Sequence, residues 1–123
     1  MAHYLEIQNI NDTRGNLSII EDQLGFSIAR VFYIHQVPKE AVRGEHAHKK
    51  TQMALISVSG DCEIEVHKKG NEITNFKLDC PTKCLYIDPS DWHLMKNFSS
   101  DCVLLVLASE KYDKEDYIFE RPI

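Results

Sequence analysis

The stretch Arg43-Gly44-Glu45-His46-Ala47-His48-Lys49-Lys50, followed by apolar alternation over residues 52–59 and then Gly60, decides the fold. On an extended strand, residues two positions apart share a face, so His46 and His48 stand together while Ala47 points the other way. A helix would place them about 200° apart around its axis, at roughly 100° per residue. The alternation that follows has the period of a strand, so two imidazoles line one wall. Their Cα atoms then lie roughly 6–7 Å apart, from a rise of about 3.3 Å per residue. Imidazole exchanges protons near neutral pH without special tuning, and it is also the commonest metal ligand. Which of the two jobs this pair performs is the functional question.

The same period runs through the rest of the chain. Residues 4–8 and 17–20 read as strands around a turn at 11–16, and residues 28–35 are β-branched and aromatic up to the break at Pro38. Residues 62–67 alternate into a hairpin turn at 68–72 and a return strand at 73–78. Residues 85–87, 92–98 and 103–107 complete about ten short strands. Only residues 21–25 and 110–117 invite a helical turn. Many short strands at spacings of about 8–12 residues predict an all-β sandwich or barrel. With no repeat or linker in view, residues 1–123 are expected to form one domain.

Composition narrows the function. The formal net charge of -5 argues against nucleic acid as a partner, which calls for a basic surface. An anionic small ligand remains compatible, because a few local arginines outweigh a distributed negative field. No apolar run approaches the roughly 18 residues of a membrane span. The start, Met1-Ala2-His3-Tyr4-Leu5-Glu6, lacks the basic and apolar regions of a secretory signal, so the expected location is the cytoplasm. Cys62, Cys80, Cys84 and Cys102 are accordingly expected as reduced thiols. Cys80 and Cys84 lack the second pair that a structural zinc site needs.

A third histidine lies in Pro89-Ser90-Asp91-Trp92-His93-Leu94-Met95-Lys96-Asn97. His-x-His, Gln52 and Gly60, then His93 and Asn97 after a proline turn, resemble the two motifs of the cupin superfamily. That resemblance implies a small jelly roll with its site in the mouth of the barrel. Metal-binding cupins usually carry a glutamate where this chain has Gln52. The neutral amide is the poorer donor for a divalent ion, which favours acid–base work by the histidines and no metal.

Nearly the whole chain shows a closer likeness. Arg30-Val31-Phe32-Tyr33-Ile34, Arg43-Gly44-x-His46-Ala47-His48-Lys49, Leu85-Tyr86-Ile87 ahead of Trp92-His93, residues 103–109, and Tyr112-Asp113-x2-Asp116-Tyr117-Ile118 together resemble the WxcM-like family. The resemblance implies a sugar-nucleotide 3,4-ketoisomerase acting on dTDP-4-keto-6-deoxy-D-glucose, without a cofactor. It also implies a homodimer paired through exchanged N-terminal strands, residues 4–10 adding to the partner's sheet edge. His35 departs from the pattern, which has an aromatic there.

Moving a carbonyl between adjacent sugar carbons needs an acid–base group near each carbon and something to hold charge on the oxygens. His46 and His48 are the expected proton carriers, with base and acid unassigned. Tyr33 and His35 share a strand face and are candidates to support an oxyanion or relay a proton. Arg43 is a candidate for the diphosphate or a sugar oxygen. Gln52, His93 and Asn97 are candidates to line the substrate pocket, although His93 and Asn97 also suit a strand end tied to a turn. His3 and His67 read as exposed, Trp92 as core, and residues 110–116 as a solvated acidic surface. Two other readings stay open: a metal-dependent cupin enzyme, and a sugar-nucleotide binding module without catalysis.

Overall fold

The computed structural model describes residues 1–123. Twelve strands follow one another: β1 (His3–Glu6), β2 (Gln8–Asp12), β3 (Gly15–Ile19), β4 (Arg30–His35), β5 (Arg43–His48), β6 (Met53–Ser59), β7 (Cys62–Lys68), β8 (Glu72–Leu78), β9 (Lys83–Ile87), β10 (Trp92–Lys96), β11 (Val103–Ala108) and β12 (Tyr117–Ile118). The two segments that invited a helix make single 3-10 turns, Asp22–Leu24 and Lys114–Asp116.

One five-stranded sheet has the order β1-β9-β6-β11-β4 and the other β12-β5-β10-β7-β8, with β2 and β3 as a separate hairpin. The two sheets do not close on each other into a continuous barrel, so the jelly-roll reading describes the chain better than a barrel. Alternation explains how they pack. Met53 and Leu55 of β6, Ile64 and Val66 of β7, Leu85 and Ile87 of β9, and Leu104 and Val106 of β11 form one buried core from both sheets. Each such side chain contributes roughly 1.5–3 kcal/mol. A second cluster, Ile7, Leu24, Ala54, Ile56, Cys84 and Leu107, covers part of the outer face of the first sheet.

All four cysteines are free thiols; Cys62, Cys84 and Cys102 are buried and Cys80 is half-buried. The expected hairpin turn joins β7 to β8 between the paired Lys68 and Glu72. One expectation needs correction. His67 is buried rather than exposed: its Nε2 lies 2.7 Å from Glu65 Oε1, and Trp92 packs edge-on to its ring. Residues 3–6 pair with β9 of the same chain and form the outermost strand of their sheet.

Gly60 turns the chain from β6 into β7 with φ +66, and a Cβ there would sit 2.6 Å from Asp101 Oδ1 and 2.7 Å from the Cys102 amide nitrogen. Gly60→Ala combines left-handed strain with overlap against a fixed backbone. It is expected to destabilise the fold by about 2–4 kcal/mol, read from urea unfolding at neutral pH.

Candidate active site

The histidine motif lies on β5, and β5 is not a regular strand. His46 pairs with His93 of β10, whereas the next residue of β10, Leu94, pairs with Gly44, leaving Glu45 as an extra residue. Gly44 (φ 85) and Glu45 (φ 60) both have positive φ, the signature of a β-bulge. Gly44 is also the point where β5 comes closest to β10, since a Cβ there would lie 3.2 Å from the His93 carbonyl oxygen. The bulge has a functional result. In a regular strand Arg43 and His46, three apart, would face opposite ways. The extra residue resets the alternation and lets both line one cavity.

That cavity, about 160 Å3, is walled by Arg30, Phe32, Ile34, Arg43, Gly44, His46, His48, Met53, Met95 and Tyr117. His46 and His48 meet with ring centroids 4.9 Å apart and planes at 90°. Tyr117 packs on both rings, 4.8 Å from His46 and 4.6 Å from His48. Beneath them His93 lies 5.3 Å from His46 and is completely buried.

Hydrogen bonds fix the tautomer of each ring. Nδ1 of His46 lies 3.0 Å from the Gly44 carbonyl oxygen, and Nδ1 of His93 lies 3.0 Å from that of Asp91. A carbonyl oxygen only accepts, so each Nδ1 carries the hydrogen and donates it. Nδ1 of His48 donates to Asp116 Oδ2 over 2.9 Å. In all three rings Nε2 is left as the basic nitrogen. Asp116 is in turn held by the Lys50 amide at 2.8 Å and by the Thr51 hydroxyl.

Electrostatics keep the imidazoles neutral and ready to accept. Burial, helped by the charge of its neighbour His48, lowers His46 and outweighs the Gly44 carbonyl. Burial likewise lowers His48, with Arg30 adding to the effect, although the Asp116 carboxylate pulls the other way. His93 is brought down to about 4, chiefly by burial. Burial alone would push Asp116 up, but hydrogen bonds from Thr51, Lys50 and His48 hold it below the usual carboxylate range. A histidine lowered in the folded state resists protonation only while folded. Its stabilising contribution is therefore complete above pH 6.5 and is lost as pH falls through the folded value. Thermal melting is expected to weaken steadily from pH 6.5 towards about 4, and a flat profile over that window would contradict the neutral assignment of His93.

Of the residues picked out from the sequence, His46, His48, Arg43 and His93 meet at this cavity and its floor. Four others do not. Tyr33 and His35 share a face, as period two requires, but it is the outer one: both are exposed, while Phe32 and Ile34 of the same strand face the cavity. Gln52 lies between Thr51, which reaches Asp116, and Met53, which lines the cavity, so it points away. Its Oε1 accepts from the Tyr86 hydroxyl at 2.8 Å. Asn97 is exposed with φ 54, its amide donating to Glu63 Oε2 at 2.8 Å. Trp92 is buried with Ala47 and Leu94, as expected of a core residue.

Three contributors escaped the sequence reading. Asp116 belongs to the acidic run read as solvated surface, yet it is buried and bonded to a histidine 68 positions away in sequence. Tyr117 follows it into the cavity. Arg30 had a faint signal, since it alternates with Phe32 and Ile34 on the inward face.

A cupin metal site does not fit these residues. Gln52 is turned to Tyr86, and no group of three or more His, Cys, Asp or Glu side chains is arranged to hold a metal ion.

Comparison with known proteins bears on the same pocket. The sequence matches the family described as "FdtA: WxcM-like, C-terminal" over residues 1–122. The chain belongs to this WxcM-like family. A curated WxcM-like relative, TDP-4-oxo-6-deoxy-alpha-D-glucose-3,4-oxoisomerase of Aneurinibacillus thermoaerophilus, is 45% identical over 116 residues, 93% of this chain and 83% of that protein. Among solved structures, a histidine-to-asparagine mutant of the 3,4-ketoisomerase QdtA from Thermoanaerobacterium thermosaccharolyticum, in complex with TDP-4-keto-6-deoxyglucose, superposes with a TM-score of 0.92. It is 40% identical, covering 97% of this chain and 87% of that one. The WlaRB TDP-quinovose 3,4-ketoisomerase of Campylobacter jejuni gives 0.90 at 39% identity, covering 97% and 92%. The match to the WxcM-like family thus runs through the strands that carry the paired imidazoles of this pocket.

Proposed function

We propose that this protein is a sugar-nucleotide 3,4-ketoisomerase, converting dTDP-4-keto-6-deoxy-D-glucose to its 3-keto isomer by proton transfer. The observation that carries this reading is the pair of neighbouring imidazoles, each anchored through Nδ1 so that Nε2 is free on the same cavity wall. The carbonyl moves between two carbons of one molecule, so oxidation at C3 balances reduction at C4 and no redox cofactor enters the balance.

His48 is the base. Its Nε2 takes the C3 proton, the electron pair moves into a C3–C4 double bond, and the C4 carbonyl oxygen becomes negative. Asp116 stabilises the imidazolium that forms, as a buried carboxylate does for any paired histidine. His46, without a carboxylate partner, relays the C3 hydroxyl proton to the C4 oxygen. His48 then returns its proton to C4 as the C3 carbonyl closes. His93 supports His46 from below, and Arg43, exposed at the mouth, meets the diphosphate. The cavity is smaller than the roughly 300–1,000 Å3 that bury a drug-sized ligand. It takes the sugar and leaves the nucleotide outside.

The test is incubation with TDP-4-keto-6-deoxyglucose in deuterated water, trapping with a 3-aminotransferase, and NMR of the product. A 3-amino sugar is the expected result, its C4 hydrogen being protium where His48 returns the proton taken from C3 and deuterium where the imidazolium exchanges with solvent first. Substrate that binds yet keeps its C3 proton would overturn the reading in favour of a binding module.

We further propose that the enzyme works as a homodimer in the cytoplasm, residues 1–123 folding as one unit. The β2–β3 hairpin pairs only with itself and leaves Ile10 and Leu17 exposed, while edge strand β4 exposes Val31 and Tyr33. Exposed apolar surface beside an unpaired edge suits a second copy. Sedimentation equilibrium should give about twice the 14.2 kDa chain mass, and a clean monomer at micromolar concentration counts against the dimer.

A further inference from the structure

Arg30 is a cation without an anion. Its Nε is buried and has no hydrogen-bond partner. None of the ion pairs in the chain includes it; the carboxylate of Asp116 is committed to His48. Aromatic rings take the place of a counter-ion: the guanidinium carbon lies 5.1 Å from the centroid of Phe32 and 6.0 Å from that of Tyr112. Both contacts hold a guanidinium in place without neutralising it. The side chain is half-buried on the cavity wall, in company with Phe32, Ile34, Met53 and Met95. Holding an unpaired charge beside apolar side chains is costly unless a ligand compensates it.

The compensating charge can be located by following the reaction. The 4-keto sugar ring is neutral before reaction. Once the C3 proton leaves, the electron pair ends on the C4 oxygen and the ring carries a full negative charge until C4 is protonated. A fixed cation beside that oxygen interacts more strongly with the transition state than with the bound substrate, which is what accelerates a chemical step. Arg30 already stands close enough to His48 to help lower its proton affinity. The proton acceptor and this cation both line the cavity, and of its two arginines Arg30 is half-buried while Arg43 is exposed.

We propose that Arg30 is a catalytic residue of the ketoisomerase reaction, its guanidinium holding the enediolate oxygen. The assignment rests on the ketoisomerase reading above and deepens it. It also gives the two arginines different roles, Arg43 meeting the diphosphate and Arg30 meeting the charge that exists only during turnover.

Steady-state kinetics on the full-length chain, calorimetric binding of TDP and thermal melting decide the matter together. Arg30→Gln should lower kcat about 10^2–10^3-fold, the effect of losing one oxyanion donor. It should leave KM and the TDP Kd within about threefold and the melting temperature nearly unchanged. Arg30→Lys, which keeps the charge without the planar fork, should recover part of the lost rate. Around His48 the charged and titratable groups are Asp116, Arg30, His46, His93 and Tyr117; removing the cation from this set should move the acid limb of the pH–rate profile upward. Unchanged kcat in Arg30→Gln overturns the proposal. So does a rise in TDP Kd at constant kcat, which would make Arg30 a diphosphate clamp, or a joint loss of melting temperature and rate in both variants, which would make it structural. A wild-type enzyme that binds the substrate but never removes its C3 proton would sink the functional reading itself, a result distinct from any of these.

Discussion

His48→Asn is expected to lower kcat by about 10^2–10^4-fold, the span of a lost general base. The amide can still donate to Asp116 from nearly the place of Nδ1, so the buried carboxylate keeps a partner and the fold survives. What disappears is Nε2, the only atom of the pair that both faces the cavity and has its imidazolium form supported by a carboxylate. His46→Asn removes a relay between two oxygens that water can partly replace, and its loss should be smaller, about 10–100-fold. The ordering is the informative part: if His46→Asn proves the more damaging change, the assignment of base and relay is reversed. The pH–rate profile supplies a second check. Burial lowers His48 below its ordinary value, so the group is unprotonated at neutral pH, and kcat/KM should decline only as pH drops below 6.5. That acid limb should be absent from His48→Asn.

The period-two alternation that placed His46 and His48 side by side is local physics, and it was legible in the sequence because nothing distant is needed to enforce it. The fold class was legible on the same ground: short alternating strands broken by turn residues leave few ways to bury one face of each. Alternation says which residues share a face but not which face turns inward. For β4 the sequence offers Tyr33 and His35 on one side and Arg30, Phe32 and Ile34 on the other, and the core claims the more apolar set. The polar pair that looked functional is left outside. Gln52 fails for the same reason, being the odd residue between Thr51 and Met53. Arg43 succeeds only through the bulge at Gly44 and Glu45, and a glycine inside a strand is a visible but unspecific hint of one. Asp116 entered the sequence reading only as part of the family motif, with no local sign of a place in the site. Its partner is set by β12 pairing with β5, a contact between distant parts of the chain that composition cannot foretell.

Asp116→Asn should be about as damaging as losing His48, and for a different reason. The carboxylate accepts three hydrogen bonds, from His48 Nδ1, the Lys50 amide and the Thr51 hydroxyl. An amide has one accepting atom and one donating atom. With its oxygen on the Lys50 N–H, which is fixed by the backbone, its NH2 group faces the ring of His48. That ring must then offer a lone pair at Nδ1 and move its hydrogen to Nε2, where a proton acceptor is needed. The ring stays in place and the base is switched off, with kcat expected to fall about 10^3–10^4-fold, as for other histidines that lose their orienting carboxylate. The few active molecules should titrate lower than wild type, since the negative charge that raised His48 is gone while burial still lowers it. Nitrogen NMR of the imidazole reports the tautomer directly: the wild type should show hydrogen on Nδ1 and the variant on Nε2. A variant that keeps its rate with hydrogen still on Nδ1 would remove Asp116 from the mechanism. Asp116→Ala distinguishes orientation from packing, because it strands the buried Thr51 hydroxyl, at about 1–3 kcal/mol, and removes the acceptor of the Lys50 amide, but leaves Nδ1 free to keep its hydrogen. It should therefore be less stable than Asp116→Asn yet retain more activity per folded molecule.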